Sequence, residues 1–170
     1  MELKINNLDR EQVFQRVATY VKHHGLNVVS IDFKRPWGGF FVIEESQAED
    51  FASLFFPEGP FESLKLSEKL SPKILVVAPE KRLSWQYHHR RAEIWTVLSG
   101  DVGVVRSDTD IEGVLKQLNE GDQIKLHEGE RHRLVGLEGW SVLAEIWQHT
   151  DAANPSDEDD IVRVQDDFGR

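Results

Sequence analysis

The chain has 170 residues, enough for one domain with a proper core and too few for two comfortable ones. Its formal net charge of −10 argues against nucleic acid as a partner, because binding a phosphate backbone requires a basic surface. The absence of cysteine excludes disulfides and thiolate metal sites. No apolar run approaches the length of a membrane span, and the first ten residues lack the apolar segment of a signal peptide, so we expect a cytoplasmic protein with no membrane partner.

The N-terminal region predicts a helix followed by two strands. Apolar residues recur every three or four positions from Val13 to Val21, which is typical of a helix over residues 9–24. Asp9 is a suitable N-cap and Gly25 a suitable stop. Residues 27–33 and 40–45 predict short strands, joined by a turn at 35–39 that contains one proline and two glycines.

Residues 46–72 are harder to interpret. Residues 48–56 favour a short helix, and residues 64–72 are compatible with either a strand or a short helix. The four phenylalanines of the segment indicate that it packs against the rest of the protein. It could cover the mouth of a β-barrel or form a subunit interface, and the sequence does not choose between them.

From Lys73 onward, short strands recur at regular intervals and are separated by turn signals. The strand segments read KILVVAP, LSWQYH, AEIWTVLS, DVGVVRS, GVLKQL, DQIKL, HRLVG and WSVLAEIW. This pattern predicts an all-β sandwich or barrel, and a double-sheet jelly roll is how such strands commonly close.

Residues 149–170 form an acidic tail. Its first part reads as an exposed linker in which His149 has no chemical role, and its last residues carry apolar side chains that predict docking on the domain. We therefore expect a single domain over 1–170, with an N-terminal helix, strands and covering segment over 1–72, a barrel core over 73–148, and the tail.

Four side chains suggest a metal site. Gln86 and His88 are two residues apart and share one face of a strand. The odd spacing from His88 to Glu93 requires a turn around residues 90–92 before Glu93 can reach the same pocket, and His132 offers a fourth ligand from a second stretch. One amide oxygen, two imidazoles and one carboxylate suit a divalent metal such as Zn, Mn, Fe, Co or Ni.

The two stretches resemble the paired motifs of the cupin family. Residues 86–100 read Q-x-H-x4-E-x6-G, and residues 121–136 read G-x5-H-x-G-x2-H-x3-G. Four positions depart from the family pattern: Glu80, Gln86, His127 and Gly136. The Gln variant is found in phosphomannose isomerases, and the type II branch of that family is the closer match. Here it is matched by RPWG at 35–38, LSWQYHHRRAEIW at 83–95, GERHRL at 129–134, and the tail EDDIVR with DDFGR.

The resemblance implies a cupin jelly roll, or double-stranded β-helix, with an N-terminal α-helix added. It also implies isomerisation of mannose 6-phosphate and fructose 6-phosphate through an enediolate, with a divalent metal ion, Zn before Mn, Fe, Co or Ni, at Gln86, His88, Glu93 and His132. Two alternatives stay open: a non-catalytic sugar-binding module and a metal-dependent cupin oxygenase. The Gln ligand disfavours the oxygenase.

Cations near the ligands are candidates for holding an anionic sugar. Arg82, Arg90, Arg91, Arg131 and Arg133 flank the four ligands. We single out Arg91 as a catalytic and substrate-binding residue, because its planar fork suits a phosphate or sugar hydroxyls. Arg133 is a further substrate-binding candidate, although a structural salt bridge explains it equally well.

Three other residues complete the predictions for the site. Arg35 and Trp37 either hold substrate or form the turn that seats the second strand. The general base is not identified from the sequence, and Lys81 is a weak candidate for it. The predicted partners are a sugar phosphate and a second copy of the chain in a homodimer.

Overall fold

A computed structural model describes residues 1–170. Two α-helices and two short 3₁₀ turns lie in the first 64 residues; α1 spans Arg10–His23, α2 spans Ala48–Phe55, and the 3₁₀ turns cover Glu45–Gln47 and Phe61–Leu64. The strands are β1 Val28–Arg35, β2 Gly38–Ile43, β3 Lys73–Val77, β4 Trp85–Tyr87, β5 Arg91–Ser99, β6 Val102–Ser107, β7 Lys116–Leu118, β8 Gln123–Leu126, β9 Arg131–Gly136, β10 Ser141–His149 and β11 Val162–Gln165. None of the helices has both the length and the apolar character needed to cross a bilayer.

The strands form two antiparallel sheets that pack as a jelly roll. One has six strands in the order β1-β2-β3-β10-β5-β8, and the other has five in the order β11-β4-β9-β6-β7. All eight strands predicted between residues 73 and 148 are present, so the all-β jelly roll with an N-terminal helix is confirmed.

The predicted N-terminal elements are present as well. The Asp9 side chain accepts a hydrogen bond from the Gln12 N–H, and the Gln12 side chain accepts one from the Asp9 N–H, which fixes the start of α1. At the turn between β1 and β2, a side chain on Gly38 would place its Cβ only 1.9 Å from the Val76 carbonyl oxygen. Glycine is therefore required where β2 lies against β3.

The six-stranded sheet separates two apolar cores. Residues such as Ile74 and Ile146 face outward and pack with α1 and with the phenylalanines of α2. Alternate residues of the same strands, such as Leu75 and Leu143, face the barrel interior. The segment 46–72 thus covers the outer face of this sheet, and residues 65–72 form neither a strand nor a helix.

The inward faces of β3, β5 and β10 are apolar at one end of the barrel and polar at the other. Leu75, Val97 and Leu143 belong to the apolar interior core. Towards the opposite end of the same strands, the inward positions carry Lys73 and Glu145 among other polar residues that line a cavity. One half of the barrel is therefore a packed core, and the other half holds a polar cavity.

The free edge of β1 carries exposed apolar side chains. Val29, Ile31 and Phe33 alternate along this strand and are 60%, 47% and 50% exposed. The homodimer stays a prediction, and this edge is the surface where substitutions would test it.

Candidate metal centre and cavity

Three of the four predicted ligands converge inside the polar end of the barrel. His88 Nε2 lies 3.1 Å from Glu93 Oε1, and His132 Nε2 lies 3.4 Å from Glu93 Oε2. The three ligand atoms all lie within 4.8 Å of one another. Ligands at about 2.0–2.1 Å around a tetrahedral ion stand about 3.3 Å apart, so these spacings fit one divalent metal.

Hydrogen bonds to backbone carbonyls orient both imidazoles. His88 Nδ1 lies 2.7 Å from the Asp160 carbonyl oxygen, and His132 Nδ1 lies 2.9 Å from the Glu130 carbonyl oxygen. A carbonyl oxygen can only accept, so Nδ1 carries the proton in both rings and Nε2 presents its lone pair to the cluster. The lone pair on Nε2 of His132 is free, whereas Nε2 of His88 lies 3.2 Å from the Arg91 guanidinium, which donates to it.

The donor set is also incompletely satisfied by the protein. His132 Nε2 and Glu93 Oε2 are buried and make no hydrogen bond. Buried polar atoms normally have a hydrogen-bond partner. These two atoms have none and each carries a lone pair, so they support a cation between them. Burial alone would raise the pKa of Glu93, but the neighbouring His88 and the Arg91 guanidinium, which donates to Oε1, hold it well below its usual range. The carboxylate is therefore ionised, as metal binding requires.

Gln86 lies beside the cluster. It is paired in register with His132 across β4 and β9, and it lines the same cavity as Glu93. Its side-chain oxygen accepts a hydrogen bond of 2.6 Å from the Ser84 hydroxyl, which fixes the orientation of the amide. The amide oxygen thus has one lone pair left for a ligand in the cavity.

The turn between His88 and Glu93 is held by the C-terminal tail. The side chain of Asp160 accepts hydrogen bonds from the N–H groups of His89 (2.9 Å) and Arg90 (3.0 Å) and from the Ser156 hydroxyl (2.6 Å). The turn therefore lies at residues 89–90, one position earlier than predicted, and Arg91 already belongs to β5.

A cavity of about 400 Å³ opens above the cluster. Glu93 and Gln86 belong to its wall, and Leu75, Leu83 and Trp95 close its apolar side. Five cationic side chains line it: Arg35, Lys73, Arg91, Arg163 and Arg170. Of the five arginines that flank the ligands in sequence, only Arg91 is among them, and the other four cations come from distant segments.

Arg91 is a buried member of the site. Its Nε–H donates to Glu93 Oε1 at 2.8 Å, and its guanidinium also bonds the Ser156 hydroxyl at 2.8 Å. The guanidinium lies 3.6 Å from the centre of the Trp147 ring, and the Lys73 ammonium lies 3.7 Å from the same ring. Arg91 therefore orients the carboxylate of the cluster and still faces the cavity.

Two of the other predicted site residues line the cavity, and two lie outside it. Arg35 and Trp37 line the cavity from the turn between β1 and β2, so the turn seats β2 and contributes to the cavity wall. Arg133 is fully buried on the other face of β9, where it pairs with Glu112 at 2.7 Å and donates to the Leu83 carbonyl. Lys81 is exposed in the loop after β3, outside the cavity lining. These positions match a structural salt bridge for Arg133 and give Lys81 no access to the cavity.

Sequence reasoning missed Glu145. This residue is buried on the inward face of β10 and accepts a 2.9 Å hydrogen bond from the Trp95 indole N–H. Burial, together with the charge of Glu93, raises the pKa of Glu145 to about 8. A single carboxylate inside the apolar run WSVLAEIW was the signal that could have identified it.

The prediction that His149 lies in an exposed linker without a role was wrong. His149 is fully buried at the end of β10, where Nδ1 accepts the Ser156 N–H at 3.0 Å and Nε2 lies 3.0 Å from the Ser71 hydroxyl. Burial lowers the pKa of His149 to about 4, so its ring is neutral and has a structural role as a hydrogen-bond partner. It joins the segment before β3 to the tail, which then continues to β11 and pairs with β4.

A two-sheet jelly roll with a His–His–Glu cluster inside one end defines a cupin. Within that class, the chain matches the family model described as "Mannose-6-phosphate isomerase C-terminal" over residues 44–166, and it belongs to this family.

Curated relatives include longer proteins. The chain is 35% identical over 125 residues to the xanthan biosynthesis protein XanB of Xanthomonas campestris pv. campestris, covering 74% of this chain and 25% of that protein. It is 32% identical over 117 residues to the mannose-1-phosphate guanylyltransferase ManC of Salmonella typhimurium, covering 69% and 23%. The chain thus spans about a quarter of the length of these relatives.

A solved structure supports the fold independently. The capsular polysaccharide assembling protein CapF of Staphylococcus aureus superposes with a TM-score of 0.54 at 12% identity, covering 82% of this chain and 34% of that one. At this identity the likeness concerns the fold alone.

Proposed function

We propose that this protein is a metal-dependent sugar-phosphate isomerase that interconverts mannose 6-phosphate and fructose 6-phosphate. The observation that carries the proposal is that Glu93 belongs both to the His88–Glu93–His132 cluster and to the wall of a cavity lined by five cations. Membership of the mannose-6-phosphate isomerase C-terminal family supports the choice of substrate.

The charge of the cavity suits an anionic sugar despite the net charge of −10. Four carboxylates accompany the five cations: Glu93, Glu145, Glu158 and Asp159. Because the pKa of Glu145 is raised to about 8, this group is mostly uncharged at neutral pH. Within the wall itself, five cations therefore face three ionised carboxylates. Asp32 and Asp166 outside the wall pair with Arg35 and Arg170, so Arg163 is the cation left to attract a phosphate against the overall field.

Arg163 is the proposed anchor for the phosphate. It lies on β11 opposite Gln86 on β4, so its side chain faces the cavity. Arg35, Lys73, Arg91 and Arg170 each form an ion pair with a carboxylate of the protein, whereas Arg163 forms none. An unpaired guanidinium can offer two parallel N–H donors to a phosphate.

The cluster residues would hold one divalent metal, with Gln86 completing the set. When bound, such an ion would supply a Lewis acid for the sugar oxygens O1 and O2, which carry the carbonyl group in the aldose and in the ketose. The protein supplies the rest: Arg91 keeps Glu93 in position, the Asp160 and Glu130 carbonyls keep both imidazoles oriented, and the cations hold the phosphate.

The activity test uses the purified chain after chelation, reloaded with Zn²⁺, Mn²⁺, Co²⁺, Ni²⁺ or Fe²⁺ one at a time. We expect conversion of mannose 6-phosphate into fructose 6-phosphate, followed by NMR, and no conversion by the metal-free protein. Unphosphorylated mannose should react poorly at the same concentration. Saturable binding of the sugar phosphate without product would contradict the isomerase and favour a sugar-binding module.

Replacing Arg163 by glutamine should weaken substrate binding selectively. Loss of a charge-assisted hydrogen bond to phosphate should raise KM for mannose 6-phosphate by roughly 10- to 100-fold, with kcat and metal content little changed. Arg16→Gln on the exposed face of α1 is the matched control and should leave KM unchanged. Equal KM values for the two variants would remove Arg163 from the phosphate site.

A further inference from the structure

Glu145 is a buried carboxyl group that faces the proposed reaction site and is not part of the metal cluster. It lies on the inward face of β10, paired in register with Trp95 on β5 and with Lys73 on β3. Glu145 is only 6% exposed, yet it lines the same cavity as Glu93. A carboxyl group in this position costs stability, since burial disfavours its charged form.

The surroundings of Glu145 leave it free to exchange a proton. The Trp95 indole N–H holds Oε1 at 2.9 Å and is the only hydrogen bond that the side chain makes with the protein. The charged groups around it are Glu93, which disfavours ionisation, and Lys73 and Arg91, which favour it. Burial is the largest influence and raises the pKa of Glu145 to about 8. The group is mostly protonated at pH 7, and its ionised fraction, which grows with pH, is the form that accepts a proton.

The other groups in the cavity are less suited to accept a proton from carbon. Glu93 is occupied by the two imidazoles and by Arg91. The Glu158 side chain is 63% exposed and pairs with Lys73, and Asp159 is exposed at the rim. A base shielded from water keeps its basicity and protects an enediolate from side reactions.

We propose that Glu145 is the general base that carries the proton between C1 and C2 of the sugar phosphate. This inference rests on the proposed isomerase function and deepens it. The Glu145 carboxylate removes the proton from C2 of the aldose, the C2–H electron pair forms the C1–C2 double bond, and the aldehyde π electrons move to O1. The proton then returns from Glu145 to C1 as the C2 hydroxyl becomes the ketone, with the hydroxyl proton passing from O2 to O1. No oxidant or reductant is consumed.

The experiment compares Glu145→Gln with the wild-type protein in H₂O and D₂O. Glutamine has the same shape and keeps an oxygen for the Trp95 N–H, so we expect wild-type folding, metal content and KM. We expect kcat to fall by about 10²- to 10⁴-fold, the usual contribution of a positioned acid–base group. In D₂O, wild-type protein should place deuterium at C1 of fructose 6-phosphate and at C2 of recovered mannose 6-phosphate, whereas the variant should not. Glu138→Gln, on an exposed loop, is the control and should behave like wild type.

The outcomes separate this inference from the function on which it rests. If the wild-type protein turns over and Glu145→Gln keeps the wild-type kcat and deuterium exchange, Glu145 is not the general base. The proposed isomerase function is then unaffected. A wild-type protein that binds the substrate without turnover overturns both. If Glu145→Gln loses activity together with metal content or the cooperative unfolding transition, Glu145→Asp decides: retention of deuterium exchange by this shorter acid supports the proposal, and its loss in a folded, metal-loaded protein overturns it.

Discussion

Replacing His132 by alanine should remove bound metal and isomerase activity together. This residue supplies one of two imidazoles in the cluster, its Nε2 has no hydrogen-bond partner in the protein, and its Nδ1–H is held by the Glu130 carbonyl. Without it, one imidazole, one carboxylate and one amide oxygen remain, which are too few ligands to hold a divalent ion firmly. We expect less than about a tenth of the wild-type metal content and a loss of turnover of at least about 1,000-fold.

Two measurements check this result independently of catalysis. Elemental analysis of the purified variant gives its metal content. Thermal unfolding with and without added Zn²⁺ should show a higher Tm for wild type on metal addition and no change for His132→Ala, because an ion that binds only the folded state stabilises it. His127→Ala is the matched control, since its imidazole is exposed in the preceding turn and only its backbone groups form hydrogen bonds, both with Glu130. Full turnover by His132→Ala would show that the ligand assignment is wrong.

Replacing Asp160 by alanine should cause the largest loss of stability. The Asp160 side chain is buried and accepts hydrogen bonds from two backbone N–H groups and from the Ser156 hydroxyl. Its loss leaves the His89 and Arg90 N–H groups without their partner in the turn that positions His88. At about 1.5–3 kcal/mol for each hydrogen bond to a charged group, and allowing for partial hydration of the turn, we expect the free energy of unfolding to fall by about 3–5 kcal/mol.

The same substitution should also weaken metal binding. The Asp160 carbonyl holds Nδ1–H of His88, and a tail that is no longer anchored at the turn would hold it less well. Changing an outer partner of a ligating histidine typically costs 10- to 100-fold in metal affinity, so a decrease in this range is expected from a chelator competition. Asp108→Ala, at an exposed position without hydrogen bonds to its side chain, is the matched control for both measurements.

The stability contributed by Asp160 should depend on pH in one direction. Burial would raise the pKa of this carboxyl, but hydrogen bonds from Ser156, His89 and Arg90 and the charge of Arg90 lower it below its ordinary value. A lowered pKa means that the stabilisation is fully present above the unfolded-state value of about 3.9 and is lost as pH falls through the folded-state value. Urea unfolding should therefore show a difference between wild type and Asp160→Ala that is constant above about pH 5 and shrinks in acid. A difference that grows in acid would contradict this account.

The His–His–Glu cluster was largely predictable from the sequence, whereas the rest of the cavity was not. His88, Glu93 and His132 were identified from residue types and spacing, since alternation along a strand is local and decides which side chains share a face. The same local rule placed Arg133 on the opposite face of its strand from His132. Arg163 was not identified, because its position in the cavity wall depends on β11 pairing with β4, about 75 residues earlier in the chain.

Buried polar groups were the main source of error. His149 was assigned to a solvated linker because its neighbours in sequence are polar, yet it is enclosed by residues from the segment before β3 and from the tail. Glu145 was overlooked because an isolated glutamate between apolar residues has no spacing motif. The burial of His149 could not follow from composition, since it depends on which distant segments cover the residue, and for Glu145 the apolar run around it was the only local signal.

The sequence by itself determined the order of the strands along the chain, their inward and outward faces, the N-terminal helix with its cap, and the residues of the His–His–Glu cluster. These follow from backbone geometry and from side-chain patterns within a few residues. Only the tertiary structure decided which strands adjoin, that the segment 46–72 covers the outer face of the sheet, and that the tail supports the turn before Glu93. It also set the protonation of Glu145 and His149, because a pKa depends on the charges and solvent around a group, and those come from parts of the chain far apart in sequence.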